Sequence, residues 1–162
     1  MKKEKILKYI RLTLNILFSV LLIISLYMNA FFLKNNNDIY NLDIIYKTEY
    51  EKVESNVEKV NVTTNSSCEW LSKVDLYYNK LVEYYVLTNN ENMIEKIKKS
   101  QNNWEVYVSV QVDMYNASLM SEYGSGTVVP IKQSYFIYRL NRERALCLYE
   151  QCLNLSLNVE AP

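Results

Sequence analysis

Apolar residues are concentrated in five stretches of this chain. Residues 12–33 are 22 consecutive positions without a formal charge. From residue 39 to residue 60, and in three further stretches after residue 66, apolar positions recur every three or four residues. That spacing is the period of an α-helix, so the pattern predicts an all-α fold.

Residues 12–33 predict a single transmembrane helix. At 1.5 Å per residue, 22 residues are long enough to cross a hydrocarbon core of about 30 Å. A cleaved signal peptide usually has a shorter apolar region followed by small residues at the cut, and a cut after Ala30 would leave Met28 at the third position before it. We therefore favour a retained anchor over a signal peptide or a buried core helix.

The charge distribution orients this anchor. Residues 1–33 carry a net charge of +4 and the rest of the chain −4. Because basic flanks stay in the cytoplasm, we predict a cytoplasmic tail at 1–11, an anchor in the cell membrane and an extracellular C-terminal part. The acidic body also disfavours nucleic-acid binding.

The segment 34–65 is predicted to be a helical stalk or linker. Its apolar positions follow a near-heptad pattern, and the stretch 61–67, "NVTTNSS", predicts a hinge. The pattern leaves two alternatives open, a stalk that pairs two chains into a homodimer and an amphipathic helix that lies on the following domain. The apolar positions are Ile39, Leu42, Tyr46, Tyr50, Val53, Val57 and Val60.

Three helices are predicted in 66–154, followed by a tail at 155–162. Ser66 and Glu69 match a capping box that would open the first of these helices, and Pro130 suits the first position of the third. Short connections between long helices predict an up-down bundle.

Two polar residues fall on the apolar stripes of these helices. Gln101 lies one turn before Trp104 on the second helix, and Arg142 lies on the third. Buried polar groups need partners, so we predict a polar seam in which Gln101 pairs with Asp75, Asn79 or Arg142 and fixes the helix register.

Three segments resemble the LprI-like lysozyme-inhibitor family over about residues 68–150: "VDLYYNKLVEYY" (74–85), "SQNNWEVYVSV" (100–110) and "YGSGTVVPIKQSYFIYRLNRERALCLYE" (123–150). The family shows Asp-x-x-Leu-Asn, Gln-x-x-Trp-x-x-Tyr/Phe-Arg, Gly-Gly-Ser and Thr-x-x-Arg-Ala-x-x-Leu segments in this order. The matching positions are Asp75, Tyr78, Asn79, Gln101, Trp104, Tyr107, Gly124, Ser125, Asn141, Arg144, Ala145 and Leu148.

The resemblance implies a binding protein that occludes the cleft of lysozyme, a cationic muramidase. The partner contacts would come from the segment 121–129, which we expect to be flexible, with Tyr123, Gly124, Ser125 and Gly126 as candidates. The alternative is a structural or sensory ectodomain that binds cell-wall material or a membrane partner.

The cysteines depart from the family pattern. Where the resemblance implies two cysteines that can bridge, this chain has Val112 and Phe136. Cys68, Cys147 and Cys152 are an odd set, for which free thiols or a Cys68–Cys68 link between chains are the options.

Catalytic chemistry is poorly represented. The chain has no histidine, phosphate-binding loop or nucleophile elbow. We therefore predict that it is not an enzyme and holds neither a cofactor nor a metal.

Overall fold

The computed structural model describes residues 39–157. The chain divides into two compact units, Met1–Tyr40 and Asn41–Pro162, and the packing below is that within the second. The regular structure of the described residues is helical throughout, which confirms the all-α class. The helices are α1 (39–52), α2 (Asn56–Leu87), α3 (Glu91–Tyr123) and α4 (Val128–Asn154).

Between residues 39 and 157, no helix combines the length and the apolar character needed to cross a bilayer. The predicted anchor at 12–33 and the predicted tail at 1–11 lie outside the described residues, as do residues 158–162.

The first long helix begins eleven residues earlier than predicted. Ser55 is its N-cap: the Ser55 hydroxyl accepts a hydrogen bond from the Glu58 N–H at 3.2 Å, and the Glu58 carboxylate accepts one from the Ser55 N–H at 3.3 Å. The predicted capping box at Ser66 is therefore wrong. The predicted hinge at 61–67 is also wrong, because these residues are helical. Thr63, Ser66 and Ser67 are buried there, so tertiary packing holds the helix through a sequence with weak helix propensity.

Helices α2 and α4 form the centre of the fold and run parallel. Asn141 donates to Ser67 near the middle of both helices, and Tyr77 packs on Tyr149 further along, with ring centroids 5.3 Å apart. The fully buried Trp70 belongs to the same interface. The central core consists of Trp70, Val74, Tyr77 and Leu81 of α2 with Tyr138, Ala145, Leu148, Tyr149 and Cys152 of α4.

Helix α3 packs antiparallel to α4. The Tyr115 ring stacks on the Phe136 ring with centroids 4.3 Å apart, and Tyr123 near the end of α3 meets Lys132 near the start of α4. Phe136 is one of the two positions where the resemblance implied a cysteine. An aromatic stack therefore joins the two helices at this position. The predicted helical bundle is confirmed.

Helix α1 is a fourth helix of the bundle and runs antiparallel to α2 and α4. The Tyr46 ring stacks on that of Tyr138 with centroids 4.5 Å apart, and the Tyr46 and Thr63 hydroxyls are 3.4 Å apart. Residues 53–55 interrupt the helical conformation, so the continuous heptad through Val53 is wrong. Within one chain α1 is an amphipathic helix that lies on the domain, and pairing of two chains through it stays a prediction.

Helix α4 begins two residues before the predicted start. Its first residue is Val128, so Pro130 lies within the first turn instead of opening it. The missing N–H of a proline costs no intrahelical hydrogen bond there, because the first N–H groups of a helix have no carbonyl partner within it.

Candidate functional site

The polar seam predicted for Gln101 exists, but its partner is Arg144. The Gln101 carbonyl oxygen accepts hydrogen bonds from Arg144 Nε at 3.2 Å and from Arg144 Nη2 at 3.0 Å, and the Gln101 amide donates to Glu105 at 3.1 Å. The Arg144 guanidinium also lies 5.7 Å from the Trp104 ring centroid. Two segments that carry the family resemblance thus meet in one contact between α3 and α4.

The other residues predicted for this seam do not join it. Asp75 and Asn79 are exposed on α2 and are not among the partners of Gln101, and Tyr78 is half-buried next to the buried Tyr77. Tyr107 is exposed. Arg142 lies two residues from Arg144, about 200° around the helix, and so faces α1.

Arg142 instead forms a bidentate ion pair with Asp43 of α1. Its Nε lies 2.8 Å and 2.9 Å from the two Asp43 carboxylate oxygens, and its Nη2 lies 2.6 Å from the second. The Tyr138 hydroxyl donates to the same carboxylate at 2.8 Å. The guanidinium carbon of Arg142 is 5.7 Å from the Trp70 ring centroid.

Burial and the hydrogen bonds of this cluster change the pKa values of Asp43 and Tyr138. Burial raises the pKa of Asp43, but the hydrogen bonds from Arg142 and Tyr138 outweigh burial and hold the pKa below its ordinary value. Burial and the hydrogen bond to Asp43 both raise the pKa of Tyr138. Asp43 is therefore ionised and Tyr138 protonated at neutral pH, the combination in which Tyr138 can donate.

The connection between α3 and α4 contains the predicted partner-binding residues. Ser121–Tyr123 and Val128–Val129 are helical, so the segment 121–129 that we expected to be flexible reduces to a four-residue loop, 124–127. Gly124 has a φ of 60°, which favours glycine, and its N–H donates to the Met120 carbonyl at 3.0 Å.

Tyr123 is held in place by a lysine from the following helix. The Lys132 ammonium donates to the Tyr123 hydroxyl at 2.9 Å and lies 4.4 Å from the ring centroid. The hydrogen bond to Tyr123 raises the pKa of Lys132. This contact positions an aromatic side chain that remains 37% exposed.

The loop borders an open cleft at the start of α2. Thr127 accepts a hydrogen bond from the Asn56 side chain at 3.4 Å, which joins the loop to that helix. The cleft has a volume of about 230 Å³, and Val57, Val60 and Pro130 supply its apolar lining. We call Tyr123, the loop 124–127 and this cleft the loop end.

The three cysteines are free thiols in two environments. Cys68 and Cys147 are exposed, whereas Cys152 is fully buried and its thiol donates to the Tyr77 carbonyl at 3.6 Å. Burial raises the pKa of Cys152 to about 11. The Cys68–Cys68 link between chains stays a prediction.

No group of three or more His, Cys, Asp or Glu side chains in the described part of the chain could hold a metal ion.

The sequence reasoning missed Asp43 and Lys132. A signal for Asp43 existed, since an arginine on a buried stripe requires an acceptor. However, Asp43 is 99 residues from Arg142 and becomes a partner only when α1 folds back. Lys132 had no signal, because a lysine near the start of a helix is ordinarily solvated.

No protein-family model matches the chain, and no curated protein or solved structure matches it either.

Proposed function

We propose that this protein is an extracellular binding protein, held in the cell membrane by residues 12–33, which inhibits a cationic muramidase of the lysozyme type by occluding its cleft. The loop end is the surface that would enter the cleft of the muramidase. The proposal draws on the resemblance over about residues 68–150 and on the basic tail that precedes the predicted anchor.

The observation that carries the proposal is the contact of Lys132 with the exposed Tyr123 side chain. An aromatic side chain that is already ordered loses little conformational entropy on binding, which favours it as an anchor in a partner's pocket. Lys132 supplies this order through its hydrogen bond and its contact with the ring. Val57 and Pro130 provide apolar surface in the cleft that the loop 124–127 borders.

Charge supports the encounter with such a partner. The chain after residue 33 has a net charge of −4, and a cationic enzyme would be attracted to it at low ionic strength. The association rate should therefore fall as salt is added, because salt screens exposed charges.

The test is inhibition of a C-type lysozyme by purified residues 34–162 at two salt concentrations. Tyr123→Ala should abolish most of the inhibition. Tyr135→Ala is the matched control, since Tyr135 is 47% exposed and lies on α4 outside the loop end. Salt-sensitive inhibition that only Tyr123→Ala removes would support the proposal. If micromolar protein does not inhibit, the enzyme is not its target.

The alternative is a structural or sensory ectodomain that binds cell-wall material or a membrane partner and dimerises through α1. Pairing through α1 competes with the contacts that α1 makes within its own chain, because Tyr46 and Asp43 already pack on α4. A dimer that dissociates when Ile45, an exposed α1 residue, is changed to Lys would favour this alternative.

A further inference from the structure

A group of hydrogen-bond donors on α2 and α4 lies against the carboxylate of Asp43. Three contacts of 2.6–2.9 Å join the Arg142 guanidinium to this carboxylate, and the Tyr138 hydroxyl donates to it at 2.8 Å. The fully buried Trp70 lies on the other side of the guanidinium, with 5.7 Å between the guanidinium carbon and the ring centroid. We call Arg142, Tyr138 and Trp70 the donor cluster.

The donor cluster contains a donor that is not used. The Trp70 indole N–H lies near the Tyr138 hydroxyl, whose pKa it lowers, but no atom of residues 39–157 accepts a hydrogen bond from it. A buried donor without an acceptor costs free energy and is rare in folded proteins. A carboxylate offers acceptor sites on both of its oxygens and no donor. The cluster is therefore suited to a ligand that brings acceptor oxygens.

The donor cluster is built on α2 and α4 alone. Trp70 belongs to α2, whereas Tyr138 and Arg142 belong to α4, and these two helices form the centre of the fold. The Tyr138 ring also stacks on that of Tyr135 in the same helix, with centroids 5.9 Å apart. A site whose side chains are already in place loses little conformational entropy when it binds a ligand.

Asp43 reaches the donor cluster from a helix that is separated from α2 by a break in the helical conformation. Residues 53–55 form this break, and Ser55 caps α2, so α2 begins independently of α1. The ion pair is also open to solvent, since 32% of the Arg142 side chain and 30% of the Asp43 side chain are exposed. A ligand in solution therefore has access to the guanidinium once α1 moves aside.

The second contact of α1 with α4 indicates the chemistry of a competing ligand. Tyr46 lies three residues after Asp43, and its ring stacks on that of Tyr138 with centroids 4.5 Å apart. Three residues of a helix rise by about 5 Å. A ligand that replaces both contacts therefore needs a carboxylate and an aromatic ring about this far from it. The ring distinguishes such a ligand from an inorganic anion.

We propose that the donor cluster is a binding site for aromatic carboxylates, such as the end of a peptide whose last residue is aromatic, and that α1 occupies this site within the chain. Such a ligand competes with Asp43 for Arg142 and with Tyr46 for the Tyr138 ring, so its binding displaces α1. The inference goes beyond the inhibition proposed above, because it uses residues outside the loop end and requires no muramidase.

The test adds N-acetyltyrosine to the full-length chain in phosphatidylcholine nanodiscs, and separately N-acetyltyrosinamide, which lacks the carboxylate. The chain is labelled with nitrogen-15, and the readout is the NMR signal of the Trp70 indole N–H. Trp104→Phe assigns this signal, because the chain has two tryptophans. Asp43→Ala should bind N-acetyltyrosine at least about tenfold more tightly than the wild type, since the competing carboxylate is gone. It should bind the amide at least about tenfold more weakly than the acid.

Two further variants locate the site. Glu51→Ala is the matched control on α1, because it also removes an exposed acidic side chain, and its affinity for N-acetyltyrosine should stay within about twofold of the wild type. Asp43→Ala combined with Arg142→Gln should lose the affinity that Asp43→Ala alone gains. This double variant leaves neither charge of the pair without its partner, and the amide spectrum of the labelled chain checks that it is folded.

Three results would overturn the proposal. One is equal binding of the acid and the amide to Asp43→Ala. Another is an affinity of Asp43→Ala for N-acetyltyrosine that does not exceed that of the wild type. The third is undiminished binding when Arg142→Gln is added to Asp43→Ala. None of these results bears on lysozyme inhibition, which is measured through Tyr123.

Discussion

The guanidinium of Arg142 and the carboxylate of Asp43 join the first and last helices of the described fold, with nitrogen–oxygen distances of 2.6–2.9 Å. A bidentate pair is stronger and more directional than a single contact between point charges. Tyr138 donates to the same carboxylate, so two residues of α4 hold Asp43 of α1. The pair holds the helix that connects the bundle to the predicted anchor.

Removal of this carboxylate should loosen α1. We expect Asp43→Ala to lower the free energy of unfolding by about 1–3 kcal/mol, because Arg142 and Tyr138 lose their acceptor in a partly buried place. The measurement is urea unfolding of residues 34–162. Glu51→Ala is the control, since Glu51 forms an exposed ion pair with Lys47 and should contribute less than about 0.5 kcal/mol.

The contribution of Asp43 should depend on pH. Its pKa is lower in the folded state than in the unfolded one, so its stabilising effect is present above the unfolded value of about 3.9 and is lost as the pH falls through the folded value. The stability difference between the wild type and Asp43→Asn should be constant near neutral pH and shrink towards pH 3. A difference that does not change over this range would contradict the assigned ion pair.

Gln101 and Arg144 should be coupled. Gln101→Leu removes the acceptor of a half-buried guanidinium and should cost about 1–3 kcal/mol. Arg144→Leu combined with Gln101→Leu should cost less than the sum of the single changes, because the double variant leaves no unpaired group at the contact. Additive costs in a double-mutant cycle would mean that the hydrogen bonds do not contribute to stability.

The start of α2 can be tested at two serines. Ser55→Ala removes the observed cap and should cost about 1 kcal/mol. Ser66→Ala should be neutral or slightly stabilising, because Ser66 lies within the helix and alanine has the higher helix propensity. Thermal or urea unfolding distinguishes the two, and a larger cost at Ser66 would restore the start predicted from the sequence.

The thiols should react in two classes. Cys68 and Cys147 are exposed and should react rapidly with Ellman's reagent in the folded protein. Cys152 should react slowly until urea is added, since it is buried and its pKa is raised to about 11. Three equally fast thiols would show that the centre of the α2–α4 interface opens readily.

The sequence by itself determined the all-α fold class and the apolar stripe of α3 that contains Gln101. A period of three to four residues and a scarcity of glycine and proline leave little alternative to long helices. Gln101 stood out because a polar residue on an apolar stripe needs a partner, and the structure supplies one. These are local properties, which the order of neighbouring residues carries directly.

Only the tertiary structure decided where α2 begins and that α1 packs against the other helices. Ser55 and Ser66 both start capping patterns, and burial of the helix around Ser66 against the bundle selects the first. The sequence predicts Arg142 as a partner of Gln101, but two residues turn a helix by about 200°. Arg144 therefore meets Gln101, and Arg142 meets Asp43. Asp43 meets Arg142 only after α1 folds back, a long-range contact that no local pattern encodes.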